Sequence, residues 1–209
     1  MDNYLLKTVA IGTAAIVMAA CSSAPAPAPS EAPPAASTAP KPVEPVSGKT
    51  AFYEMYKPAR QWATDLQPLS LASGELAGFK NADGKAALWT AVFVSPSLAQ
   101  ARHFTYAIAT VGTVSRGVSA DPPERWSGPT KAAMAFQNSD IQVDSDAAFK
   151  TAATKGADWL KEHADKKWTI ELGSASRFPA PVWYILWGDA KAGGYAQFVN
   201  ASTGEIVAK

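Results

Sequence analysis

Apolar residues recur at helical spacing in two stretches of the chain, one after residue 50 and one after residue 145. Two sets of positions each share one helix face: Phe52, Met55, Tyr56, Ala59, Trp62, Ala63 and Leu66 in the first, and Phe149, Ala152, Ala153, Gly156, Trp159 and Leu160 in the second. Asp144 or Ser145 can cap the second helix, and Asp146 suits its first turn. Pro58 interrupts the first set, so we expect that helix to be kinked there or to begin at Lys57.

Alternating or continuously apolar segments follow each helix and predict strands. In the second half the predicted strands are 168–173, 181–188, 193–200 and 205–209. In the first half they are 85–95 and 101–111, with weaker ones near 68–73 and 114–119. Glycines at 193 and 194 and the sequence "STGE" are typical of hairpin turns. A helix followed by a strand meander, twice, predicts an α+β fold of two similar units, each a helix packed on an antiparallel sheet of about four strands.

The order of these elements indicates an internal repeat. "AFYEMYKPARQWATDL" and "AFKTAATKGADWLKEH" each place a phenylalanine ten residues before a tryptophan, and each precedes an aromatic strand, around Trp89 or Trp183. We therefore predict a duplicated unit. The expected boundaries are 48–120 for the first unit, 121–142 for a connecting segment and 143–209 for the second unit.

The amino-terminal region reads as an export signal. From Val9 to Cys21 the residues are continuously apolar or small, after a start that contains Lys7. This run is shorter than the roughly 20 residues that span a bilayer, and it suits the apolar segment of a signal peptide. An ordinary signal peptide with a chance cysteine is one interpretation.

The other interpretation starts from the only cysteine. "MAAC", which ends at Cys21, resembles the lipobox of bacterial lipoproteins, whose cysteine is lipidated and becomes the first residue after cleavage. The resemblance implies a signal peptide at 1–20 and a lipid anchor at Cys21 that holds the protein in the membrane. Ser22 after the cysteine then points to an outer membrane, with the protein facing the periplasm.

Residues 21–47 follow as a segment rich in proline and alanine. It contains eight of the sixteen prolines and no aromatic residue. Such a composition cannot bury enough apolar surface to fold, and it favours extended geometry. We interpret it as a disordered tether, with a proline-rich recognition ligand as the alternative.

The second half resembles PepSY-type domains. "VDSDAAFKTAA" is similar to their helix entry and "GGYAQFVNASTGEIVAK" to their closing hairpin. The matching hairpin positions are Asn200, Ala201, Thr203, Gly204 and Glu205. The first half departs from this pattern, because it has no "TGE". The resemblance implies an exported or membrane-attached module that binds or restrains partners, including peptidases, rather than a catalyst.

Charge and motifs exclude several functions. Positive and negative side chains are nearly balanced and form no basic stripe, so we do not expect a nucleic-acid partner. Only His103 and His163 could supply imidazole, and neither belongs to a metal-binding or catalytic motif. No nucleophile elbow or phosphate-binding glycine loop is found.

Acidic residues give two weak candidates for a site. Asp140, Asp144 and Asp146 lack the spacing, glycine and final glutamate of a calcium loop, and helix capping explains two of them. Carboxylates for glycoside hydrolysis could come from Glu171, Asp189 and Glu205, but no local pattern supports that use. We therefore predict no catalytic residue, no metal and no cofactor.

Aromatic side chains are the remaining candidates for function. In "VWYILWG", Trp183 and Trp187 point one way and Tyr184 the other, so both strand faces are apolar. A companion sheet from the other half could bury the second face, or a partner could dock there. Trp126 and Arg125, on the connecting segment, are either further contacts or a plug between the halves.

We expect a non-catalytic, lipid-anchored cell-envelope protein that binds a protein or peptide. The alternative is a carrier of a small apolar ligand, held in a pocket between helix and sheet or between the two units.

Overall fold

The computed structural model describes residues 43–208 of the chain. The predicted signal peptide, the predicted lipid anchor at Cys21 and most of the predicted tether lie outside the described residues. Nothing in the fold therefore bears on the expected anchor.

Helices form where the apolar spacing predicts them. They are α1 (Gly48–Trp62), α2 (Ser145–Lys155) and α3 (Ala157–Glu162), with a short 3₁₀ helix at Asn138–Asp140. Asp144 caps α2, where its carboxylate accepts from the Ser145 backbone N–H at 2.7 Å. Pro58 lies inside α1, so the expectation that this helix begins at Lys57 is wrong.

Eleven strands are found in the described part of the chain. In the first half they are β1 (Val46–Ser47), β2 (Gln67–Gly74), β3 (Lys85–Ala86), β4 (Leu88–Ser95), β5 (Gln100–Ala107) and β6 (Gly117–Ala120). The connecting segment adds β7 (Glu124–Arg125). In the second half they are β8 (Trp168–Gly173), β9 (Val182–Trp187), β10 (Tyr195–Asn200) and β11 (Ile206–Val207). The bounds of β8 are those predicted.

All but β1 and β3 join one antiparallel sheet, in the order β11-β10-β9-β8-β2-β4-β5-β6, with β7 also paired to β5. The α1 helix packs on β4 and β5, and α2 packs on β9 and β10. This arrangement confirms the predicted α+β class, with helices on an antiparallel sheet. In each half a helix precedes a run of antiparallel strands; that the halves arose by duplication stays a prediction.

The two halves meet edge to edge in the middle of this sheet. Strand β2 pairs with β8 through Ser70 and Gly173, Leu71 and Leu172, and Ala72 and Glu171. The expectation that two separate sheets would face each other is therefore wrong. Backbone pairing, rather than face-to-face packing, joins the halves, and one sheet face keeps no second sheet over it.

Large aromatic side chains fill the space between the helices and the sheet. Phe52 and Met55 of α1 are fully buried, as are Trp89 and Phe93 of β4 and Trp183 of β9. Burying such a side chain contributes about 1.5–3 kcal/mol relative to leaving it exposed. This layer is the main source of cohesion between helices and strands.

The amino-terminal ends of α1 and α2 are bonded to each other. The Gly48 N–H donates to Ser145 Oγ at 2.7 Å, and the Lys49 N–H donates to Asp144 Oδ1 at 2.8 Å. Ser145 Oγ also donates to the Gly84 carbonyl at 2.7 Å. A Cβ atom on Gly48 would lie 2.8 Å from the Trp183 ring, so only glycine fits this junction. The halves are thus joined at the helix ends as well as through the sheet.

Within residues 43–208, none of the helices has the length and apolar surface needed to traverse a bilayer.

Candidate functional site

The aromatic residues proposed for partner binding separate onto two sides of the sheet. Trp183 and Trp187 are 0% and 3% exposed and lie in the core under the helices. They are not available to a partner, and for these two residues the hypothesis of a contact surface is wrong. Tyr184 points to the other side, because successive strand residues face opposite ways.

Tyr184 belongs to a row of side chains on the sheet face away from the helices, which we call the open face. Cross-strand pairing aligns this row across six strands: Phe198, Tyr184, Glu171, Ala72, Thr90 and Thr105. Its second-half members are aromatic or acidic, and its first-half members are small. The open face is therefore chemically uneven, and its distinctive chemistry lies in the second half.

Three aromatic rings and one guanidinium form a cluster at the second-half end of the open face. The Tyr184 and Phe198 rings stack with centroids 5.0 Å apart, and the Phe178 ring lies 5.0 Å from Phe198. The Arg177 guanidinium lies over both phenylalanines, 4.5 Å from Phe178 and 5.0 Å from Phe198. Each such cation–π contact is worth about 0.5–1 kcal/mol at an exposed site. The cluster is ordered by its own contacts before any ligand arrives.

A cleft of about 420 Å³ lies beside this cluster. Its floor is formed by the open-face side chains Glu171, Tyr184 and Phe198, together with Ser70 at the start of the β2–β8 pairing. The loop between β8 and β9 and part of the connecting segment form its walls. Because strands from both halves contribute to the floor, the cleft exists only when the halves are joined.

The walls of the cleft are held to each other by backbone hydrogen bonds. The Ser176 N–H donates to the Lys131 carbonyl at 2.9 Å, and the Met134 N–H donates to the Ser174 carbonyl at 2.9 Å. These two bonds fix residues 131–134 beside the β8–β9 loop. The concave shape of the cleft is therefore built into the fold.

Glu171 is the acidic group of the cleft floor. Its cross-strand neighbours are Ala72 and Tyr184, and within the described residues its carboxylate makes no ion pair and no hydrogen bond. Partial burial raises the pKa of the Glu171 carboxyl above its ordinary value, because burial disfavours the charged form. The side chain is nevertheless more than a third exposed, so solvent or a ligand can reach it.

Arg125 and Trp126 lie together in a second, separate groove of about 640 Å³. Trp126 is half-buried, and its backbone N–H donates to the Ala99 carbonyl at 2.9 Å. Pro129 and Met134 line the same groove. Trp126 is thus partly a packing residue at the edge of the first half, and this groove does not include Tyr184.

The proposed carboxylate trio is not brought together. Asp189 follows β9 at its Trp187 end, whereas Glu205 lies after β10, beside the Val182 end. Six strand residues separate these ends by about 17–20 Å. Glu171 is the only one of the three that lines the cleft, so the three carboxylates do not form a common site there.

The other titratable candidates have structural contacts. Asp140 accepts from the Gln137 N–H at 3.0 Å within the 3₁₀ helix. His163 stacks on Trp159 with ring centroids 4.0 Å apart and bonds to its carbonyl at 2.8 Å. His103 lies 3.3 Å from a Glu124 oxygen. Across residues 43–208, no group of three or more potential metal ligands is found.

A carrier of a small apolar ligand would need a pocket between helix and sheet or between the two halves. The helix–sheet interface is filled by buried side chains such as Trp89 and Trp183. A groove of about 970 Å³ lies between the β2–β3 and α3–β8 loops, with Lys167 and Glu75 paired at 2.8 Å on its rim. Its lining mixes charged side chains with apolar ones, Leu76, Phe79, Phe149 and Trp168, and it lies between the two halves, so the carrier alternative stays a prediction.

Comparison with family models, with curated proteins and with solved structures finds no match to the chain. The geometry of the site is therefore the basis for a functional conclusion. The predicted binding surface does not include four of its main residues: Glu171, Arg177, Phe178 and Phe198. An "RF" pair in a proline-flanked loop was the only sequence signal for the cluster.

Proposed function

We propose that the protein is a non-catalytic, lipid-anchored component of the cell envelope that binds a protein or peptide partner. The anchor would be Cys21, and the binding surface would be the open-face cleft of the second half. Restraint of a peptidase, which the PepSY resemblance implies, is one form that this binding would take.

The observation that supports partner binding is the partly exposed aromatic cluster beside a preformed cleft. Aromatic and arginine side chains are enriched at the energetic centres of protein interfaces. Phe178, Tyr184 and Phe198 are half-buried, so each keeps ring surface that a partner can cover. The cleft is also open along the sheet, which suits a chain segment better than an enclosed small molecule.

Lipid anchoring is supported by the sequence alone. "MAAC" provides the cysteine and the small residues before it, and the proline-rich stretch provides distance from the membrane surface. At about 3.1 Å per residue, an extended tether of this length reaches at most about 80 Å. Such a reach would let the cleft meet partners away from the bilayer.

The test is site-specific photo-cross-linking of the full chain in its native envelope. A photoreactive phenylalanine analogue replaces Phe178 in one variant and Tyr53 in the matched control. Tyr53 is an aromatic residue on α1 that is 39% exposed and lies across the molecule from the cleft. We expect a discrete cross-linked species from position 178 and none from position 53.

Two outcomes would contradict the proposal. Equal labelling from both positions would show that the cleft has no preference for a partner, and no labelling from position 178 would remove the binding function. A Cys21→Ser variant separates anchoring from binding, because it should leave the membrane fraction while keeping its ability to bind. Retention of that variant in the membrane would contradict the anchor.

A further inference from the structure

Resting on the proposed function, we infer that the partner segment inserts a basic side chain, lysine or arginine, into the open-face cleft, where it pairs with Glu171. The inference names the chemistry of the occupant. It depends on the charge at the cleft floor and on the contacts around it.

The first argument is that, among residues 43–208, the Glu171 carboxylate has no ion-pair or hydrogen-bond partner. Its neighbours across the strands are a methyl group, on Ala72, and an aromatic ring, on Tyr184. Holding a carboxylate beside such groups costs free energy, which the raised pKa of Glu171 reflects. An opposite charge supplied by a ligand would remove that cost, so the site is electrostatically complementary to a cation.

The second argument concerns the other charge in the cleft. Arg177 already occupies the faces of Phe178 and Phe198, at the end of the row away from β2. A second cation is repelled from that end and favoured at the Glu171 end. Tyr184 lies between the two, and its ring offers an apolar surface for the methylene stem of a lysine or arginine.

The third argument is the shape of the floor. Ser70 and Gly173 pair directly beside Glu171, and neither carries a bulky side chain. Together with the two walls they leave room for a long side chain that enters from the open side. A segment that crosses the cleft can therefore place its stem over Tyr184 and its charged end at Glu171.

The experiment is a selection from a displayed library of random decapeptides against the immobilised full chain. A parallel selection uses a Tyr184→Ser variant, and peptides that bind both proteins are discarded. We expect the remaining peptides to be several-fold enriched in lysine or arginine at one position. For a synthetic copy of the best peptide, Glu171→Gln should weaken binding about tenfold, as loss of a charged hydrogen bond does.

Two further variants make the result specific. Glu171→Lys should shift the enrichment to aspartate or glutamate at the same peptide position. Glu54→Gln, which removes an exposed carboxylate from α1, should leave the affinity unchanged. Thermal unfolding of each variant shows whether the fold is retained, and Glu171→Gln keeps the size of the side chain.

The possible failures differ from one another. Peptides that require Tyr184 but show no basic enrichment, or that bind Glu171→Gln equally well, would overturn this inference and leave the proposed function standing. Enrichment of acidic residues on the unmodified protein would overturn it as well. A selection that yields no peptide dependent on Tyr184 would contradict both.

Discussion

In both halves of the molecule, an indole N–H reaches back to the residue before a helix cap. Trp89 donates to the Val46 carbonyl at 3.1 Å, and Trp183 donates to the Val143 carbonyl at 2.9 Å. Both rings are fully buried. The two halves thus use the same device, a tryptophan on a strand beneath the helix, to place the start of the helix.

On the open face the halves differ. The first half aligns Thr90 with Thr105, whose hydroxyl oxygens lie 3.5 Å apart, whereas the second half stacks Tyr184 on Phe198. Where β2 presents Ala72, β8 presents Glu171. The side that holds the fold together is shared, and the side that faces outward differs. The aromatic cluster is therefore not a requirement of this architecture, and function is the better reason for it.

Removal of either core tryptophan should have the largest effect on stability. Trp89→Ala and Trp183→Ala should each lower the free energy of unfolding by about 3–5 kcal/mol, since each creates a cavity and leaves a carbonyl without its donor. Urea titration followed by circular dichroism measures the loss. A clear difference between the two losses in free energy of unfolding would show that the two tryptophans do not play equivalent roles in the halves. Trp126→Ala, at a half-buried position, is the control and should cost much less.

Ser145 should come next, because its hydroxyl serves both halves at once. Ser145→Ala leaves the Gly48 N–H and the Gly84 carbonyl without their partner in a buried junction. We expect a loss of about 1–3 kcal/mol in the free energy of unfolding, measured by urea titration. Ser176→Ala, on the exposed β8–β9 loop, should be close to neutral. A neutral Ser145→Ala would show that the helix ends are not coupled.

The smallest effects should appear as opposite pH dependences of two carboxyl groups, one in each half. Asp65 accepts from Ser95 Oγ at 2.6 Å and from the Ser97 N–H at 2.8 Å, and these bonds lower the pKa of Asp65. Its stabilising contribution is present at neutral pH and lost as the pH falls through the lowered pKa. Partial burial raises the pKa of Glu171, so wild type gains stability as the pH falls through that raised value.

Urea titrations of two variants from acid to neutral pH separate these contributions. Asp65→Asn should be less stable than wild type at neutral pH, and the gap should close in acid. Glu171→Gln should be more stable than wild type at neutral pH, with a gap that also closes in acid. The same sign for both variants would contradict the contrast between the two carboxyl groups.

The sequence pattern predicted correctly those elements whose bounds depend on neighbouring residues in the chain. The alternation in "WTIELG" gave the bounds of β8, and the polar residues before α2 gave its cap. The helical stripe through Gly156 was misleading, because the helix breaks there into α2 and α3. A Cβ atom on Gly156 would clash with the Tyr195 ring, and that contact comes from a distant strand.

The cleft could not be predicted either, because it also depends on contacts between residues far apart in the sequence. Its floor combines residues of β2, β8, β9 and β10, and the decisive pairing of β2 with β8 joins residues about a hundred positions apart. The sequence showed that both faces of β9 are apolar. It did not show that the helices would cover Trp183 and leave Tyr184 open.

The site of chain entry has a mechanical consequence. Val46 pairs with Ala86, its carbonyl is held by Trp89, and Gly48 two residues later is bonded to Ser145. A force applied to the chain before Val46 is therefore transmitted first to the junction of the two helix ends, where these hydrogen bonds share the load. The cleft lies on the sheet face away from the helices, so a force applied at Val46 would load these helix-end bonds before it reached the side chains of the cleft.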